Sequence, residues 1–407
     1  MMYSLARFRW AKPIPPFALG GEYLRGENRH FLKDATGLIE LEGQDGCFRS
    51  FNSGDLIAVE VVTAEEFKVR VLSAHRILAV GTGSEAPPKP HAARFALFIN
   101  RVRTFFLERG LSEVFTPTLV PCPGLEPTLE PIACVVSFGR QSQTVYLPTS
   151  PEIHLKKALT GGWTDIFEIR PCFRNGERSP HHESEFFMLE WYRAFADLSW
   201  IEQDVRDLIA VLGTEGWIQG GVPRLETTDW ETLFAELFGF SLRPDSSTEE
   251  LSRLCGSTGI HYAQDDTFND LFHRLVIERI EPELKSRGPT LVYRFPPSLA
   301  ALAKLDEQGW ADRMELYWRG LEIANAFNEV NEAEEQQRRW LEEMAERERL
   351  GTLFVPDDQD LIQRMRRSMP PAGGIALGLE RLYMACAELT HIQDLKPFTT
   401  GDLFTSR

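Results

Sequence analysis

The sequence predicts an α+β fold in which a small β-barrel precedes a larger domain of strands and amphipathic helices. Three observations carry this expectation. Five short β-rich runs between residues 22 and 72 are separated by turn residues, the pattern of a small closed sheet. A strand, polar loop, strand pattern runs from Ile166 to Leu189. Apolar residues recur at helical spacing on either side of it, from Phe95 and again from Leu198.

The five runs begin at Glu22, His30, Leu38, Leu56 and Phe67, with turns at 34–37, 43–46 and 53–55. An OB-fold over residues 1–80 is the expected barrel. OB-folds stack single-stranded nucleic acid on sheet aromatics, and Tyr23, Phe31 and Phe67 are the candidates. Strand aromatics more often fill the core, and that role is expected for most of these. Residues 81–91, rich in Gly, Ser and Pro, read as a linker. Phe95, Phe98, Ile99, Val102, Phe105 and Phe106 then form a helical stripe ending at Arg109-Gly110, followed by a strand-like piece, Ser112 to Thr116, and Pro117. The segment 197–290 reads as helical core, and Glu332 to Arg349 as a solvated charged helix. A second, larger domain is therefore expected over 92–407.

With 407 residues, 43% apolar and 26% charged, the composition is that of an ordinary globular chain. No apolar run reaches the ~20 residues that span a bilayer, and Arg7, Arg9 and Lys12 interrupt the start of the chain. No membrane partner and a cytoplasmic location are expected. Six cysteines without a C-x-x-C pair suggest neither a zinc site nor a disulfide framework. The net charge of −16 lies wholly outside residues 1–90, where eleven basic and eleven acidic residues cancel. Nothing clusters as a basic nucleic-acid patch.

Five stretches carry chemistry. In the hairpin, Arg174, His182 and Phe186 are positioned to aim a cation, an imidazole and a ring at one ligand such as a polyphosphate bearing a base. On its return arm Glu190 and Tyr192 alternate and so share a face. Thr149-Ser150-Pro151-Glu152 presents a carboxylate just before a helix. Glu315, Glu322 and Glu329 recur at intervals of seven around Asn325 and Phe327. Carboxylates in a β context need a partner, and this set points to Mg²⁺ and an amine. Finally, Gly373-Gly374-Ile375-Ala376-Leu377-Gly378 leads into a helix with Arg381 near its start, where a guanidinium meets phosphate.

Together these residues resemble class II aminoacyl-tRNA synthetases over roughly 92–400. Within that class the chain is similar to lysyl-tRNA synthetases and, more closely, to their paralogues, the ligases that attach (R)-β-lysine to elongation factor P. Thr149-Ser150-Pro151-Glu152, Met188-Leu189-Glu190-Trp191-Tyr192-Arg193, Gly320-Leu321-Glu322-Ile323-Ala324-Asn325 and Glu335-Gln336-Gln337-Arg338 carry the likeness. The resemblance implies an antiparallel sheet flanked by helices and a cavity for ATP and Mg²⁺. Arg174 and Arg381 would be catalytic, holding the α- and γ-phosphates. Asn175, Glu177, His182, Glu183, Phe186, Glu322, Ile323 and Gly378 would complete the ATP site, with Phe186 stacked on adenine. Glu315 and Glu322 would hold Mg²⁺. Ser150, Pro151, Glu152, Glu190, Tyr192, Asn325, Phe327, Glu329 and Ala376 would bind lysine or (R)-β-lysine. A homodimer is implied by the helix and Pro117, which resemble the subunit-pairing motif of the class.

Ser150 and Ala376 match the ligase rather than the tRNA enzyme, which has alanine and glycine there, and the neutral N-terminal segment also favours a protein acceptor. The typical ligase lacks an OB domain, so residues 1–90 keep a short lysyl-tRNA synthetase, with tRNA as acceptor, as the alternative. A catalytically silent binding module is the reading from another class. The hairpin departs from the family pattern: Gly176 stands where Arg-Asn is followed by glutamate, and Glu183 where asparagine is usual. Glu177 or Glu183 is expected to supply the missing carboxylate; unchanged ATP affinity in both Glu177→Ala and Glu183→Ala would refute that compensation.

Overall fold

The computed structural model describes residues 2–3, 17–25, 29–34, 37–43, 47–48, 50–53, 55–65, 68–78 and 90–399. Two compact units are present, Met1–Leu97 with Gln393–Arg407, and Phe98–Ile392.

The first unit holds β1 (Met2–Tyr3), β2 (Phe17–Arg25), β3 (His30–Asp34), β4 (Gly37–Gly43), β5 (Leu56–Glu65) and β6 (Lys68–Leu78). β2 pairs with β3, β3 with β4, β4 with β6, β6 with β5, and β5 back with β2, so the five longer strands form a ring of pairings. Period-two alternation explains the core, since Ile57, Val59 and Val61 are all buried on one face of β5. Tyr23 is buried with them and its hydroxyl meets His30 Nδ1 at 2.6 Å, so this ring fills the interior rather than a binding face. Phe31 is half-buried. Phe67, the turn residues 35–36, 44–46 and 54, and linker residues 81–89 lie outside the described residues. The helix Pro90–Glu108 starts two residues inside the stretch read as linker, because proline is well suited to the first helical position, where its missing N–H is not needed.

The second unit is organised by an eight-stranded sheet. Its strands are β7 (Ser112–Glu113), β10 (Asp165–Phe173), β11 (Glu185–Ala194), β12 (Glu226–Asp229), β13 (Thr290–Phe295), β14 (Ala311–Trp318), β15 (Leu321–Asn328) and β16 (Ala372–Gly378). β8 (Ala133–Phe138) and β9 (Gln141–Tyr146) form a separate hairpin. The spatial order is β12-β13-β14-β15-β16-β11-β10-β7, antiparallel throughout its centre with parallel pairs only at the two edges. The expected hairpin is β10–β11, and the strand-like piece before Pro117 shrinks to two residues at the edge.

Helices cover the sheet. Leu198, Ile201, Val205, Leu208, Ile209 and Leu212 are buried along the helix Leu198–Thr214, as their spacing predicts. The segment 197–290 is not helical throughout, because the polar run Glu226-Thr227-Thr228-Asp229 forms β12. Its four residues carry no apolar alternation to announce a strand. The expectation of a solvated helix at 332–349 also needs correction: Ala333, Gln336, Trp340 and Arg347 are buried along the helix Ala333–Leu350. Their spacing of three, four and seven residues is one helical face, hidden in sequence by the charges around it.

Candidate active site

Sheet register assembles the site. Glu190 pairs with Ala376, Ala376 with Asn325, and Asn325 with Glu315, so these four form one row across β11, β16, β15 and β14. Two residues along, Tyr192, Gly374, Phe327 and Arg313 form the next row on the same face. Gly374 is obligatory in that row, because a Cβ there would run into the Tyr192 ring and the Glu329 carboxylate.

A cavity of about 410 Å³ opens on these rows, within the usual size of a small-molecule site. The sequence-derived residues Ser150, Glu152, Arg174, Glu177, His182, Glu183, Phe186, Glu190 and Tyr192 line it, as do Glu322, Ile323, Asn325, Phe327, Ala376, Gly378 and Arg381. Four others do not: Asn175, Pro151, Glu315 and Glu329. Asn175 is exposed and its N–H donates to Glu130 O at 2.7 Å, holding the loop. Pro151 is buried as the N-cap of the helix Glu152–Thr160.

The cationic groups are tightly placed. Arg381 donates to Glu322 O at 3.0 Å and to His182 Nε2. Since Nε2 accepts, His182 is neutral with its proton on Nδ1, facing Ser179 Oγ at 2.7 Å. Burial, with the Arg381 charge, lowers its basicity and keeps it so. The Arg174 guanidinium lies over the Phe186 ring at 4.9 Å, so in this structure one face of that ring carries arginine. Glu177 approaches Arg174 at 3.8 Å. Gly176 sits at φ +73°, a left-handed turn that a glutamate would strain; this is the physical reason for glycine at that position.

Opposite charges meet at Lys156, which sequence reasoning missed. It lies one turn after Glu152 and is buried, with Nζ 2.7 Å from Glu152 and 2.8 Å from Glu329. Burial alone would lower its pKa, but the two carboxylates more than offset this and raise it. Glu329 thus faces an internal cation instead of the cavity. Its own pKa is raised by burial, against the pull of Lys156. Glu190 remains available to the cavity, with the Tyr192 hydroxyl donating at 3.4 Å. Burial and the neighbouring Glu152 hold its carboxyl well above the usual range.

Glu315 behaves like Glu329. One oxygen accepts from the Tyr317 hydroxyl at 2.6 Å and the other from Arg313, which also donates to Asn325 Oδ1 at 3.0 Å. The alternation of 313, 315 and 317 along β14 was the available signal for this internal pairing. Mg²⁺ takes one or two carboxylates together with water and phosphate oxygens. Glu322 on the cavity wall fits that role, whereas both oxygens of Glu315 are already engaged. Among the described residues no group of three or more acidic, histidine or cysteine side chains is placed to hold a metal. Three further carboxylates absent from the sequence-derived set, Glu126, Glu343 and Glu380, also line the cavity, and Glu380 accepts the Phe187 N–H.

A profile of the tRNA synthetases class II (D, K and N) matches residues 92–401. The chain belongs to this family. Class II membership accounts for the antiparallel centre of the sheet and for the hairpin, the glycine-rich strand and Arg381 standing around one cavity. The chain is similar to the elongation factor P–(R)-β-lysine ligase of Haemophilus influenzae, with 34% identity covering 77% of this chain and 96% of the relative. It is also 35% identical to a homologue of that ligase from Aquifex aeolicus, over 70% of this chain and 92% of the other. The Enterobacter ligase is 32% identical over 76% and 95%. Among the described residues no helix is long and apolar enough to cross a membrane.

Proposed function

We propose that this protein is an ATP-dependent ligase that adenylates lysine or (R)-β-lysine and transfers it to a lysine side chain of elongation factor P. The observation that carries the proposal is a single cavity whose wall combines Arg174, His182 and Arg381 with the carboxylates of Glu126, Glu152, Glu190 and Glu343. Guanidinium groups suit a triphosphate, and an excess of carboxylates suits a diamino acid. The names of the relatives agree with that substrate and that acceptor.

The chemistry needs no covalent bond to the protein. A carboxylate oxygen of the amino acid attacks the α-phosphorus of ATP as the bond to the β,γ-phosphates breaks. Pyrophosphate leaves and an aminoacyl-adenylate remains. Arg174 and Arg381 are suited to hold the phosphates in line and to meet the charge that develops. His182, neutral and braced by Ser179, orients Arg381. Glu322 would hold Mg²⁺ together with phosphate oxygens, and the ion would there add neutralising charge to the triphosphate. A neutral lysine ε-amine of the acceptor then attacks the acyl carbon, forming an amide, losing a proton and releasing AMP.

The ring of strands at the N-terminus is the one observation that favours tRNA as acceptor, since such barrels commonly bind nucleic acid. Pyrophosphate exchange driven by lysine or (R)-β-lysine tests the enzyme reading, and its absence with both refutes it, leaving a binding module. Labelled β-lysine offered with elongation factor P or with tRNA decides the acceptor. The protein acts in this reading as a cytoplasmic homodimer; a monomer at micromolar concentration in sedimentation would refute the pairing.

A further inference from the structure

Two left-handed residues from distant parts of the chain meet beside the helix that carries Arg381. β14 and β15 are joined by a two-residue loop, Arg319-Gly320, with φ +55° and +75°, closed by the pair Trp318 and Leu321. Asn-Gly forms such a turn with least strain, and arginine is a poor choice for its first position. Glu388, at the end of the helix Leu379–Ala387, is also left-handed, with φ +56°, where glycine is usual. The two side chains are joined. Arg319 Nη2 donates to Glu388 Oε1 at 2.6 Å, and Arg319 Nε donates to Ala385 O at 3.0 Å, one of the last carbonyls of the helix.

Stability does not explain this pair. Its side chains are 40% and 41% exposed, and an ion pair so open to water contributes less than two strained backbones take away. What the pair does is mechanical. The β14–β15 hairpin grips the helix at both ends. In the first turn Arg381 donates to Glu322 O at 3.0 Å on β15, and at the far end Arg319, in the turn just before β15, holds Ala385 and Glu388. Glu380 ties the same helix to β11 by accepting the Phe187 N–H at 2.9 and 3.0 Å. A helix of nine residues held this way can neither rotate nor slide against the strand that bears Glu322. Arg381 and Glu322 line the cavity, whereas Arg319 lies outside its wall.

We propose that Arg319 is a positioning residue for the phosphate end of the site: through Ala385 and Glu388 it fixes the helix Leu379–Ala387 on the β14–β15 hairpin, and so sets the Arg381 guanidinium against Glu322. Asparagine at 319 or glycine at 388 would ease the backbone and release the clamp, which is why the strained residues stand there. This rests on the adenylating reading given above.

The test is Arg319→Asn, which suits the turn better than arginine and removes the clamp. Its Tm should equal or exceed that of wild type. In pyrophosphate exchange its KM for ATP should rise roughly 3–10-fold and kcat should fall by a similar factor, while KM for lysine or (R)-β-lysine stays within about twofold. Arg319→Lys, which keeps the charge but loses the second donor, should recover part of the loss. In an Arg381→Ala background Arg319→Asn should change nothing further, because the group it positions is gone. Wild-type KM for ATP and kcat in Arg319→Asn refute the assignment. A lower Tm with an equal rise in both KM values also refutes it, since that is a general loosening of the fold. Additive losses in the double variant refute action through Arg381. Wild-type protein that exchanges pyrophosphate with neither amino acid removes the adenylating reading and this inference together.

Discussion

Replacing Lys156 with methionine keeps the length of the side chain and deletes the charge between Glu152 and Glu329. With contacts of 2.7 and 2.8 Å, each ion pair is worth about 6 kcal/mol of attraction at an effective dielectric constant near 20. Burying the ammonium offsets several kcal/mol of that sum. The larger consequence is what remains, since the buried Glu329 and the half-buried Glu152 then face each other without a cation. Loss of one partner of a buried pair costs about 3–5 kcal/mol. The carboxylates can relieve part of this by binding a proton, so the cost depends on pH. Urea unfolding of Lys156→Met should show the full loss near pH 8 and a smaller one near pH 5.5. Added 1,5-diaminopentane, by supplying an ammonium, should narrow the gap near pH 8. A loss below about 1 kcal/mol, or one equal at both pH values, would refute the view that Lys156 stabilises these carboxylates by charge.

Four more outcomes follow from the same site. Glu343 is pushed up to about 8 by burial and by Glu126, and Glu190 is held well above the usual carboxylate range, so the empty cavity carries protons at neutral pH. Binding a diammonium substrate expels them: KM should fall as pH rises toward about 8, and calorimetry in two buffers of different ionisation enthalpy should report proton release. No buffer dependence would contradict these shifts. For stability the sign is opposite, because a carboxyl whose folded value exceeds its unfolded one near 4.5 favours folding only while protonated. The empty protein should therefore lose stability from about pH 4.5 to about pH 8, an effect read by thermal melting and reversed by substrate. Arg381→Ala should reduce the exchange rate by roughly 10²–10³-fold, the usual cost of removing one charge-stabilising donor. His182→Ala should produce a milder loss in the same assay, since it only orients Arg381.

The chain itself determines the elements and most of the residue types at the site. Alternation along β5 and the hairpin β10–β11, the apolar stripe of the helix Leu198–Thr214, and the glycine-rich run before Arg381 are local patterns. Each is legible because side-chain direction follows from a period of 2.0 or 3.6 residues. The same local logic explains Gly176, whose left-handed turn depends on its own φ. Local pattern fails at β12, where a polar edge strand has no alternation to read, and on the helix Ala333–Leu350, whose buried face is masked by charge.

What only the tertiary structure decided is which carboxylates are already neutralised. Glu315 and Glu329 read in sequence like ligands for a metal and an amine, yet Arg313 with Tyr317 engages the first and Lys156 the second. Conversely Glu126, in a stretch with no recognisable pattern, and Glu343, on a helix read as solvated, both line the cavity. The reason is that the protonation and availability of an acidic side chain depend on burial and on the nearest opposite charge. Those neighbours come from strands and helices far apart in the chain. They are set by the cross-strand row Glu190, Ala376, Asn325, Glu315, whose register exists only once the sheet has formed.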